Sequence, residues 1–384
     1  MQPSWWHLPG PGAYVSRIVK DLRDGKNVVL CMPEHSPDGV GAAVREVLGE
    51  SDWWLWHTLN IAEDGGDMTP AELLFSRFVP DVIPHAIQNA ESLLEQRSFG
   101  GRLVWLEGLN GLSWPRWKEF LVEYEHAYRS FPTLERSQFC VTLTGGIALD
   151  PPPDAVCLSH HYWRGWVSAT DMLLYSSMLV HATKLSILQK RLAAAIAGSL
   201  ALWDPTVSQR LAEASIETIL NPGPILRQIA DEREWSFLEK GSQDDLWQSG
   251  MLDQIDGRVE IHSAALILGD PDRELERRIW SAEVGVLFPF VEERRRDILR
   301  RFGAFLTVPY LTRFGEVITD VRDLELGHIE AQLANNGLLL NSEIVRLLGL
   351  LRGIRNSLSH LEPLPSHLLR WDQMSRPLDN FWEE

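Results

Sequence analysis

"NVVLCMPEHSPDGVGAAVREVLGE", residues 27–50, sets an unbroken apolar run, a loop of turn residues and an amphipathic stretch one after another. The run "NVVLCMP" (27–33) lacks polar alternation, which predicts a strand buried on both faces. "GVGAAVREVLGE" (39–50) predicts the helix that follows it. The same alternation recurs downstream. "SDWWLWHTLN" (51–60), "GRLVWLEGLNGL" (101–112), "SQFCVTLTGG" (137–146) and, after the loop "LDPPPD", "DAVCLSHHYW" (154–163) read as further strands. Between them, "TPAELLFSRFV" (69–79) opens on a threonine cap and "SWPRWKEFLVEYEHAYRS" (113–130) is another helical pattern. Residues 1–165 are therefore expected to form an α/β domain with a parallel sheet.

Beyond it the period changes. From about Thr170 to Ile229 the pattern is helical, and "LWQSGMLDQIDGRVEIHSAALIL" (246–268) is short and broken, with a hairpin expected at Asp256-Gly257. Residues 166–269 read as a helical connector with a small winged element. "GDPDRE" (269–274) clusters turn residues ahead of a long helix and marks a boundary. Helices over about 272–302, 317–335 and 341–361 predict an all-α helical bundle for residues 270–384. The tail "PLPSHLLRWDQMSRPLDNFWEE" is too rich in proline for one long helix and has room for a short fourth one.

The 384 residues suffice for two or three domains. A hydrophobic fraction of 45%, a charged fraction of 23% and a mean hydropathy of -0.13 belong to a chain with packed cores. No apolar run reaches the ~18 residues of a membrane span, and "MQPSWWHLPGPG" lacks the basic and apolar parts of a secretory leader. A cytoplasmic protein with no membrane partner is expected. Cys31, Cys140 and Cys157 lie far apart in strand-like runs and read as buried free thiols. No His, Cys and acid grouping has ligand spacing, so neither a metal nor another cofactor is expected. The formal net charge of -17 excludes a protein that coats nucleic acid non-specifically. That charge is uneven: residues 1–270 carry 21 Lys+Arg against 35 Asp+Glu, and residues 271–384 carry 15 against 18.

The order strand, helix, strand, acid-tipped strand, strand resembles the core of the P-loop NTPases. A working phosphate loop needs G-x-x-x-x-G-K-[ST], because backbone N–H groups cradle the phosphates, the lysine reaches them and the hydroxyl holds Mg²⁺. Here "MPEHSPDGVGAAV" keeps Gly39 and Gly41 but has neither the lysine nor the hydroxyl. Glu34 and Asp38 would repel a triphosphate. Glu107, in "LVWLEG", stands where the family's second acidic motif would be. The resemblance implies a degenerate NTPase-like domain in which Gly39, Gly41 and Glu107 would meet any bound nucleotide. ATPase activity is not expected.

A second unusual stretch is "LRGIRNSLSH" (351–360). On a helical wheel with Leu351 at the origin, Leu347, Ile354 and Leu358 fall within about 60° and make a core stripe. Arg355 borders it near ~40°, Asn356 lies near ~140° and His360 near ~180°. An ideal helix therefore separates Arg355 from His360. They meet if the helix ends just after His360, ahead of Pro363, or if a second copy across a two-fold axis lines the same groove.

"RNSLSH" resembles the Arg-polar-x-x-x-His motif of the HEPN superfamily, and "LLGLLRGIRNSLSHLEPL" resembles that family's last long helix. "ELERRIWSAEVGVLFPFVEERRRDILRRF" and "LELGHIEAQLANNG" stand for the preceding helices. The resemblance implies metal-independent RNA cleavage by a homodimer, leaving a 2′,3′-cyclic phosphate and a 5′-OH. By motif position His360 would be the general acid/base, Arg355 would stabilise charge on the phosphate, and Asn356 would orient one or the other. Imidazole and guanidinium suit those roles. Such combinations resemble bacterial antiviral or toxin-type effectors, in which a sensor domain restrains a nuclease. The alternative is a non-catalytic regulatory or scaffold subunit, since inactive members bind RNA or mediate assembly. A helix-end Asn or His can also simply cap carbonyls or answer the helix dipole. The expected partners are RNA, a second copy of the chain and a regulatory protein facing the acidic front portion.

Other residues carry two readings each. Arg294 and Arg295, in "EERRRDILRR", and Arg352 are an RNA-guiding patch or part of a solvated face laced with ion pairs. Glu325 and His328, three apart, join the site or form a surface pair. Trp53, Trp54 and Trp56 stack bases or fill a core. His160 and His161 read as polar loop residues.

Overall fold

The computed structural model describes residues 5–49, 55–64, 68–80, 87–132, 136–236, 241–269, 273–335 and 342–375. The chain forms two compact units. The first comprises residues 1–171, 202–205 and 233–265, and the second comprises residues 172–201, 206–232 and 266–384. The stretch 166–269, expected as a connector, is shared between them instead of forming a body of its own.

The first unit is α/β. Its five strands are β1 (Asn27–Met32), β2 (Leu55–Asn60), β3 (Arg102–Glu107), β4 (Gln138–Thr144) and β5 (Leu158–Tyr162). They form one sheet in the order β2-β3-β4-β1-β5, with every neighbouring pair parallel. β1 lies between β4 and β5 and is buried along its whole length, which explains its lack of polar alternation.

Helices α1 (Pro9–Arg23), α2 (Val40–Leu48), α3 (Pro70–Phe78), α4 (Ala90–Leu94) and α5 (Trp114–Tyr128) accompany the strands. The expected cap of α3 is present as a capping box. Thr69 Oγ1 accepts the Glu72 N–H at 3.3 Å, and Glu72 accepts the Thr69 N–H at 2.8 Å. Phe75, Leu93, Phe120 and Tyr124 from α3–α5 pack with Val29, Val104, Phe139 and Val141 of the sheet into one apolar core. The buried Tyr124 hydroxyl donates to Ser137 O at 2.7 Å, so this core contains no stranded polar atom at that ring.

His160 and His161 correct the sequence reading, because they lie inside β5 opposite Val29 and Leu30. His161 is buried, and the 2.9 Å contact of its Nε2 with Asp21 Oδ2 makes that burial tolerable. The expected hairpin also belongs to this unit, as β6 (Leu252–Ile255) and β7 (Arg258–Ile261). Asp256 and Gly257 both have positive φ, 49° and 78°, as a two-residue turn of the favoured hand requires.

The second unit is helical. α6 (Ile187–Ala201) buries Ala193, Ala194, Ala197 and Gly198, and it packs on α7 (Glu274–Phe302). α8 (Leu326–Asn335), α9 (Ser342–Leu358) and a short α10 (Trp371–Ser375) follow. The helix expected over 317–335 begins only at Leu326. Before it, β8 (Tyr310–Leu311) and β9 (Val317–Ile318) form a hairpin. Gly315, at φ +84°, turns the chain, and the buried Thr312 hydroxyl accepts the N–H groups of Phe314 and Glu316. That local bonding competes with helix formation. Among the described residues, no helix is long and apolar enough to cross a membrane.

Candidate functional site

Helix α9 buries Ile344, Leu347, Leu348, Leu351, Ile354 and Leu358, which is the expected stripe with Ile344 and Leu348 added. It stops at Leu358, two residues before His360. The Ser359 hydroxyl donates to Arg355 O at 2.9 Å, and the Trp280 indole N–H donates to Leu358 O at 2.8 Å. The His360 N–H closes a turn on Ser357 O at 3.0 Å, and Leu361 takes a φ of +61°. A little further on, the Leu364 N–H donates to Glu283 Oε2 at 2.8 Å. Helix α7 thus holds the chain at Leu358 and at Leu364, on either side of the turn that carries His360. Glu283 is 1% exposed, and its burial pushes the carboxyl up from 4.5 to about 7, an effect only partly relieved by the Leu364 N–H.

Arg355 is held from the other side. Its two terminal nitrogens donate to the two oxygens of Glu325 at 3.0 and 2.9 Å, a bidentate pair. The hydrogen bonds from Arg355 lower the Glu325 carboxyl and raise the guanidinium. Both side chains remain well solvated, so the pair orients Arg355 and contributes at most about 1 kcal/mol to stability. Arg355 and Glu325 line a cleft of about 220 Å³ together with Glu292, Arg295, Arg322 and Asp323. Asn356 and His360 are exposed and do not line it. Neither side chain makes a hydrogen bond or ion pair with the described residues. One chain therefore brings Arg355, Glu325 and Arg295 together and leaves His360 outside that group, as the helical wheel expects.

The other expected site residues are placed as follows. Arg294 donates to Met374 O at 2.6 Å and lies over the Phe290 ring, which fastens the short α10. Arg295 donates to Glu292 and to the carbonyls of Arg322 and Leu324, so it shapes the floor of the cleft. Arg352 is exposed and pairs with Glu330. Glu325 joins Arg355, while His328 Nδ1 accepts the Glu325 N–H at 3.2 Å.

In the first unit, Gly39, Gly41 and Glu107 line a cavity of about 1130 Å³ with Arg45, Trp56 and Trp105. Gly39 has a backbone reason and Gly41 a packing reason. Gly39 precedes α2 at φ +87°, and a Cβ on Gly41 would stand 2.9 Å from the buried Trp105 ring. The amide of Glu34, in the same loop, is taken by Gln248 O at 2.8 Å and is not turned to a phosphate. Trp56 stacks on Trp105 with centroids 5.4 Å apart; Trp53 and Trp54 lie outside the described residues. Among the described residues, no group of three His, Cys, Asp or Glu side chains is placed to hold a metal.

Trp280 and Glu283 carry no motif in the sequence, yet both hold the end of α9 and the turn after it. Ile279, Glu283, Leu287 and Val291 recur at four-residue spacing, so a carboxylate sits in the phase of an apolar stripe. That misfit was the available signal. Compared with known families and curated proteins, the chain matches no family model and no curated relative.

Proposed function

We propose that the chain is a metal-independent endoribonuclease whose site is composed at a homodimer interface from Arg355, Asn356 and His360 of two copies. The observation that carries this reading is the end of α9. Its carbonyls are already answered by Ser359 and Trp280, so Asn356 and His360 are not needed as caps. They stand in solvent at the end of a helix whose other face is buried, and Arg355 of that helix has its fork aimed by Glu325. Free imidazole and aimed guanidinium suit proton transfer at a 2′-OH and charge stabilisation at the adjacent phosphate. The separation of the two groups within one chain favours completion by a second copy.

A second reading, a non-catalytic HEPN-like RNA-binding or scaffold subunit, is favoured by one fact. Glu325 occupies both ends of the Arg355 fork. In either case the sheet order, and a cavity bordered by the ends of β1, β3 and β4, support a first unit that is NTPase-like without hydrolysis. The role of that unit as a restraint in a defence or toxin-type system rests on the family resemblance.

The test is RNA incubated in chelator with wild type, Arg355→Ala and His360→Ala. Wild type is expected to leave 2′,3′-cyclic phosphate and 5′-OH ends, and both variants are expected to lose cleavage by at least about a hundredfold. Intact RNA with the dimeric wild type, or equal cutting by the variants, overturns the nuclease.

A further inference from the structure

The β8–β9 hairpin presents an unusual tip. Phe314 is 83% exposed, and Leu311 and Val317 are exposed beside it. Arg313 lies over the Phe314 ring, 4.7 Å from its centroid, and has no carboxylate partner among the described residues. Nearby arginines are engaged differently: Arg322 pairs with Asp320, Arg295 with Glu292, Arg352 with Glu330 and Arg355 with Glu325. The tip is not a loose loop. The buried Thr312 accepts two tip N–H groups, and the Gly315 N–H returns to Thr312 O at 3.0 Å. Ordering the tip on binding therefore costs little conformational entropy.

The base of the hairpin rests beside the Arg355 cleft. The Tyr310 ring packs on His328 with centroids 5.4 Å apart, and His328 in turn accepts the N–H of Glu325, the partner of Arg355. Phe314 is four residues from Tyr310, so the tip reaches at most about 14 Å from it, within the span of a few nucleotides of the cleft.

We infer that this hairpin is a single-strand RNA contact, with Phe314 stacking on an unpaired base and Arg313 meeting the adjoining phosphate. The inference rests on the RNA-directed reading of the Arg355 end and adds its substrate class, unpaired rather than duplex RNA. An exposed aromatic ring stacks on any base without reading its sequence, and a paired base offers no free face inside a helix. Arg313, without a carboxylate partner among the described residues, supplies a complement to phosphate in a chain of net charge -17.

The experiment is fluorescence anisotropy with a 2′-O-methyl single-stranded oligonucleotide, which no nuclease of the proposed kind can cut, so binding is read apart from cleavage. The full chain is compared with Phe314→Ala, Phe314→Tyr and Arg313→Ala, and each is checked for oligomeric state by sedimentation. Phe314→Ala is expected to weaken single-strand binding about fivefold to hundredfold, and Phe314→Tyr to restore it. Arg313→Ala is expected to flatten the salt dependence by about one phosphate contact. Unchanged affinity in Phe314→Ala overturns the inference, as does an equal loss on a duplex probe. Dissociation of the oligomer with RNA binding intact also overturns it, and makes the hairpin a protein contact. If cleavage is absent but these binding changes appear, the inference stands and the nuclease reading alone falls.

Discussion

Glu283 gives the sharpest test of how the turn bearing His360 is held. Moving its carboxyl from 4.5 to about 7 on folding costs about 3 kcal/mol once the pH exceeds the higher value. Between those values the folded state keeps a proton that the unfolded chain releases. The contribution is therefore intact below about pH 4.5, declines through the interval and is fully lost above about 7. Glu283→Gln keeps the shape and an acceptor for the Leu364 N–H but never ionises. Burying its amide adds a cost that does not vary with pH. The useful quantity is thus the change with pH, not the stability at one pH. Native-state hydrogen exchange at the Leu364 amide reads it locally, which suits a chain of two units better than one global unfolding curve. In wild type the protection at Leu364, corrected for intrinsic exchange, is expected to fall about a hundredfold from pH 5 to pH 8. In Glu283→Gln it is expected to stay level. Parallel declines in the two proteins would refute the assignment of the buried carboxylate as the sensitive group.

Other outcomes follow from the same geometry. Glu325→Gln is expected to change thermal stability by less than about 1 kcal/mol, because the pair is solvated, while raising RNA affinity at low salt by freeing Arg355. Calorimetry and a salt titration of binding check the two halves. Gly41→Ala forces a methyl to within 2.9 Å of the buried Trp105 ring and is expected to destabilise the first unit by about 1–3 kcal/mol, seen as a lower thermal midpoint for that unit alone.

How far the sequence carried depends on the kind of pattern. The inner strands β1, β3 and β4 were legible because burial on both faces writes itself as apolar runs, and Thr69 and Asp256-Gly257 were legible because caps and tight turns have local chemistry. The partition of the middle segment was not, since which core a helix joins is decided by distant packing. The hairpin at 310–318 was missed because its turn depends on the Thr312 side chain more than on periodicity. At the candidate site, the motif fixed the phases of Arg355, Asn356 and His360 on α9. Its supports came from elsewhere: Glu325 thirty residues upstream, and Trp280 and Glu283 on α7. No spacing rule links residues that meet only through tertiary structure.

The partition of the chain also sets an order of assembly during synthesis. The apolar face of α6, with Leu192, Ile196 and Leu200, is made about 100 residues before α7 is complete. At ribosomal rates of roughly 5–20 residues per second that helix waits several seconds for its cover, while residues 233–265 of the other unit emerge in between. The nascent chain therefore displays a sticky surface for a defined interval, and chaperone demand should peak there. A fragment ending near residue 270 would carry α6 without α7 and make that exposure permanent.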